Sequence, residues 1–97
     1  MAYKNAVLDD KELQHGFGSI NPKYADLVTR VAGEVWGLPL IDQKTKALIA
    51  IAVDVVNQAQ VAVGDLFGVR IKMAIKQGAT RAEIEKLLLF MWRVCWV

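Results

Sequence analysis

Ala47-Leu48-Ile49-Ala50-Ile51-Ala52-Val53-Asp54-Val55-Val56 is the stretch on which the fold turns, because nine of its ten residues are apolar and the tenth is an acid. A helix that is apolar nearly all round is a central element rather than a surface one. Asp42, just upstream, is placed to cap such a helix. The sequence therefore predicts a helix from about Gln43 to the neighbourhood of Val63.

Outward from this segment, glycine and proline fall at spacings that delimit helices and not strands. Upstream, Leu38-Pro39-Leu40 reads as a short extended crossing, and Gly37 ends a helix that Asn21 caps and Pro22 opens. Leu27, Val28, Val31 and Val35 recur along that helix at three- and four-residue steps. Before it, a short helix over about Asp9 to Gln14 is expected to close at His15-Gly16-Phe17-Gly18, where two glycines oppose continuation. Downstream, Gly64-Asp65 opens a fourth helix that ends at Gly78, with Asp65 as its cap. Thr80-Arg81-Ala82-Glu83 has the Thr-x-x-Glu form of a capping box, and a fifth helix follows it to the end of the chain. The expected architecture is all-α: a single small domain of about five helices over residues 1–97.

At 97 residues such a domain buries a smaller fraction of its surface than a larger protein does, and 55% of its residues are hydrophobic, with a mean hydropathy of +0.29. Soluble domains average about 45–50% apolar residues. The excess predicts a subunit interface in a symmetric homo-oligomer. Its densest part is Phe90-Met91-Trp92-Arg93-Val94-Cys95-Trp96-Val97, whose large aromatics are costly to leave in water. Phe90, Trp92 and Trp96 are the expected interface residues, with a pocket for an apolar ligand as the alternative use of the same run.

Twelve Lys and Arg against ten Asp and Glu give a net charge of +2, spread along the chain without a basic tract, so nucleic acid is not an expected partner. The single cysteine, Cys95, excludes an internal disulfide and a cysteine-only metal site and suits a reducing compartment; cytoplasm is the expected location. The first ten residues lack the apolar core of a secretory signal. The apolar window from Ala47 to Val63 is broken by Asp54, Asn57, Gln58 and Gln60, so no membrane segment is expected.

Asn21-Pro22, the run Trp36-Gly37-Leu38-Pro39-Leu40-Ile41-Asp42-Gln43-Lys44-Thr45-Lys46, and Gly78-Ala79-Thr80 with Glu83-Ile84 occur in this order. Together they resemble the carboxymuconolactone decarboxylase and alkylhydroperoxidase D superfamily, over about Phe17 to Leu89. The resemblance implies a helical subunit in trimers or hexamers, with sites near subunit contacts and no cofactor. One branch decarboxylates carboxymuconolactone. The other reduces peroxides through a Cys-x-x-Cys pair followed by His, positions that fall here on Val63, Leu66 and Arg70. Val63 and Leu66 carry no thiol, so thiol peroxidase activity is not expected. The decarboxylase branch usually has an acid/base His where this chain has Arg70.

Arg70 cannot take that role, but its guanidinium presents a fork of donors that matches a carboxylate. The acid/base then has to be another residue, and Asp54 is the candidate, with Asn57 and Gln58 on the same helix face as ligand-binding residues. The same three residues also read as a polar cluster around an oligomer axis, and Arg70 as an interface cation. No metal set is evident, and an isolated His15 carries no role. The sequence thus supports two function classes: a lyase-like enzyme acting on a small lactone or carboxylate without a cofactor, or a catalytically inactive family scaffold, natural or engineered, that serves oligomeric assembly.

Overall fold

The computed structural model describes residues 4–56 and 66–96, and among these residues there are five α-helices and no strand. They are α1 (Lys11–Ile20), α2 (Pro22–Trp36), α3 (Gln43–Val56), α4 (Leu66–Lys76) and α5 (Arg81–Trp96). The chain divides into two compact units, Ala2–Gln43 and Lys44–Val97, with the boundary in the first turn of α3.

In the N-terminal unit Asp10 caps α1 by accepting from the Leu13 N–H at 3.1 Å. The helix then continues through Gly16 and Gly18 to Ile20, which corrects the expected stop after Gln14. Each helical glycine costs roughly 0.5–1 kcal/mol, and contacts outside the helix offset it. Phe17 meets Tyr24 of α2 edge to face, ring centroids 6.2 Å apart. Gln14 donates from Nε2 to the carbonyls of Val7 and Leu8 at 2.8 and 3.1 Å. Asn21 ends one helix and starts the next: its N–H donates to Phe17 O, and its Oδ1 accepts from the Lys23 and Tyr24 N–H groups.

Gly33 and Gly37 sit four residues apart on α2, where the segment before α1 comes close. A Cβ at Gly33 would lie 2.5 Å from Leu8 Cδ2, and one at Gly37 would lie 3.2 Å from Asn5 Nδ2. Asn5 uses that proximity to donate to the Gly33 carbonyl at 2.8 Å. Gly37 does end α2, as expected, but at φ −82 in the right-handed region, so close approach and not conformational freedom accounts for the glycine. Gln43 ties the unit's two ends, accepting from Ala6 N–H at 2.6 Å and donating to Trp36 O at 2.7 Å. Residues 38–41 are exposed, and Leu40 has φ 86, so the expected extended crossing is instead a turn with one left-handed leucine. That conformation costs an L-residue about 1–2 kcal/mol.

In the C-terminal unit Ala47, Ile51 and Asp54, at steps of four and three residues, form the buried face of α3. Ile49, Val53 and Val56 are 45–60% exposed. The helix expected to be buried all round is thus covered on one face only, because a chain this short has too little other structure to cover the rest. Its continuation toward Val63, and the Gly64-Asp65 start of α4, lie outside the described residues. Gly78, at φ +96, supplies the left-handed step after α4 that a residue with a Cβ adopts only under strain. The capping box of α5 forms as its sequence predicts: Glu83 N–H donates to Thr80 Oγ1 at 3.1 Å, and Thr80 N–H to Glu83 Oε1 at 2.9 Å.

Candidate functional site

Asp54 sits on the buried stripe of α3 with Ile51 and Ala47, three and seven positions before it; its side chain keeps 4% exposure. Arg70 projects from α4, and its Nη1 stands 3.3 Å from Asp54 Oδ1. The same nitrogen donates to the carbonyl of Ala50 at 3.1 Å. The two residues nominated as catalytic are therefore brought together, and one guanidinium nitrogen carries both contacts.

The electrostatics of the pair are lopsided. A buried carboxylate without a counter-charge is costly, and Arg70 supplies the charge while keeping 29% of its own side chain exposed. Asp54 Oδ2 is buried with no hydrogen-bond partner among the described residues. The Nε and Nη2 groups of Arg70 likewise have no partner among the described residues. A guanidinium anchored along one edge presents the other edge as a two-pronged donor for an anion or a carbonyl.

Asn57 and Gln58, nominated as ligand-binding residues, lie outside the described residues, as do Val63 and Asp65. Phe90 and Trp92 are on α5, 64% and 59% exposed; the Trp96 side chain lies outside the described residues. His15 is exposed on α1. Gln77, just past α4, is 3% exposed, whereas Ile75 is 55% exposed. Sequence reasoning also missed that Glu83 does more than cap α5: Lys44 of α3 reaches its Oε2 at 2.7 Å. The hydrogen bond from Lys44, joined by the Thr80 backbone N–H, holds the Glu83 carboxyl below its usual value of 4.5. Among the described residues no group of three or more His, Cys, Asp or Glu side chains is placed to hold a metal ion, and no helix is long and apolar enough to cross a membrane.

Residues 22–95, from the first residue of α2 to the last turn of α5, match the family model described as the carboxymuconolactone decarboxylase family. The chain belongs to the carboxymuconolactone decarboxylase family. Within this family member the match takes in Asp54, Arg70, Phe90 and Trp92 and leaves α1 outside. Comparison with curated proteins gives no match, and comparison with solved structures gives none.

Proposed function

We propose that this carboxymuconolactone decarboxylase-like protein is a lyase acting, without a cofactor, on a small lactone or other carboxylate, with Arg70 as the oxyanion clamp and Asp54 as the acid/base. The observation that carries the reading is the guanidinium held by Asp54 and Ala50 through Nη1 alone, with its other donors and Asp54 Oδ2 uncommitted among the described residues. Loss of CO2 leaves an electron pair that has to move into a neighbouring carbonyl. A fixed cation on that carbonyl stabilises the charge as it develops. A grip on the departing carboxylate would do the opposite, because it stabilises the ground state. Arg70 is accordingly assigned to the lactone carbonyl or to a second carboxylate. Asp54 orients the guanidinium through Oδ1; its Oδ2 takes a proton from solvent, hands it to the enolate carbon and returns to the carboxylate.

The test is CO2 release from a panel of lactone carboxylates by the parent, Arg70→Lys and Asp54→Asn, with circular dichroism as the control for folding. The reading expects turnover by the parent and a loss of about a hundredfold or more in each folded variant. Equal rates in all three, or no turnover by the parent on any member of the panel, would overturn it.

A second reading, a homo-oligomeric scaffold without chemistry, is favoured by the end of α5. Leu89, Phe90, Trp92 and Val94 are all more than half exposed. Phe90 and Trp92 are two residues apart, so at 100° per residue they point to well-separated sides of the helix. In this reading subunits, in a trimer or hexamer, bury that end. Light scattering would then show a smaller particle when the chain stops at Leu89, whereas an unchanged mass would reject the contact.

A further inference from the structure

Tyr24, Leu27, Val31 and Val35 follow one another along α2 at steps of three, four and four residues, and each is 47–53% exposed. At 100° per residue they cover a sector about 80° wide, the width of a seam between two helices. The buried residue of this helix, Gly33, lies well outside that sector. Beside the seam run four exposed charges, Lys23, Asp26, Arg30 and Glu34, alternating in sign from one end of α2 to the other. None of the four makes an ion pair among the described residues.

The order of these charges selects a partner. Turned end for end, the series plus, minus, plus, minus meets itself with opposite signs throughout. Lys23 then faces Glu34 of a second copy, and Asp26 faces Arg30. The two pairs centre on 28.5 and 28, the apolar pair Leu27 with Val31 centres on 29, and α2 itself, Pro22 to Trp36, also centres on 29. Antiparallel pairing about that point therefore overlaps the whole helix, matches apolar to apolar and sets every flanking charge against its opposite. It also brings the ends bearing Ile20 and Leu38, 70% and 57% exposed, toward each other across the seam.

We infer that α2 is a self-pairing helix, through which two copies of this chain join antiparallel about a two-fold axis near residue 29. The edge-to-face contact of Phe17 on Tyr24 restricts the first seam residue before that contact forms. The pairing is independent of the chemistry proposed for Arg70 and uses a different surface from the end of α5. A two-fold axis doubles each charge contact, so reversing one residue changes two contacts in the dimer.

The experiment is a charge swap on the full chain, read by sedimentation equilibrium over a range of concentrations. Lys23→Glu alone and Glu34→Lys alone should each weaken self-association about tenfold, and the double variant should recover most of that loss. Unchanged association in the single variants, or a double variant as weak as the singles, would overturn the inference. Chain direction is read separately in a Cys95→Ser background. Tyr24→Cys with Val35→Cys should give a disulfide-linked dimer on oxidation, because those positions face each other across an antiparallel seam. A dimer formed by Val35→Cys alone, which only a parallel pair brings together, would refute the antiparallel order.

Discussion

The two units are held by different chemistry. The N-terminal unit is laced by neutral amides: Asn5, Gln14 and Gln43 each bond backbone groups distant from themselves. The C-terminal unit is tied by charge, through Asp54 with Arg70 and Lys44 with Glu83. An amide bond keeps its strength across pH and salt. A charge pair depends on both, and a buried one also leaves a costly remnant when either partner is removed. The contrast teaches where this protein should respond to its surroundings: the N-terminal unit depends on ionisation only in short-range caps such as Asp10 on α1, whereas the half that carries the candidate chemistry uses charge to join one helix to another.

The largest test of that contrast is Arg70→Ala. It strands the Asp54 carboxylate in a site that is 4% exposed, and since Arg70 itself is partly solvated the expected loss is about 2–3 kcal/mol by urea denaturation. A loss under 1 kcal/mol would mean the carboxylate finds another partner. Asn5→Ala attacks the other unit. It removes the bond to the Gly33 carbonyl and the Oδ1 that accepts from the Val7 and Leu8 N–H groups, for about 2 kcal/mol. Amide exchange should quicken first at Val7 and Leu8, and uniform quickening along the chain would erase the division into units.

Thr80→Ala removes half of the α5 capping box and should cost about 1 kcal/mol, seen as a lowered melting temperature. The smallest effect concerns acid. Because the folded carboxyl of Glu83 lies below its usual 4.5, its contribution is present above pH 4.5 and is lost as pH falls through the lowered folded value. Melting curves of the parent and Glu83→Gln should therefore converge below pH 4.5. A gap that persists to low pH would place the effect outside this carboxyl.

Much of the helix punctuation was legible residue by residue. Asn21-Pro22 and Thr80-x-x-Glu83 act within one helical turn, so their cap bonds are present in the sequence as spacing. Asp54 stood out as the one acid in an apolar run, and family position pointed to Arg70. Gly16 and Gly18 misled because local propensity is a small term that Phe17 and Gln14 outweigh from outside the helix. Gly37 was read correctly as an end, but the neighbour that crowds a side chain there, Asn5, lies far away in the chain and leaves no local sign.

The sequence by itself determined the helical class, the family, two caps and the identity of the two charged residues at the candidate site, because each of these depends on residue type or on spacing within a few residues. Only the tertiary structure decided that Arg70 and Asp54 touch, that the Ala50 carbonyl shares the same nitrogen, that Lys44 reaches Glu83, and which apolar residues of α2 and α3 stay uncovered. Those facts depend on how turns bring together residues far apart in the chain, and a distance between helices has no local signature in the order of amino acids.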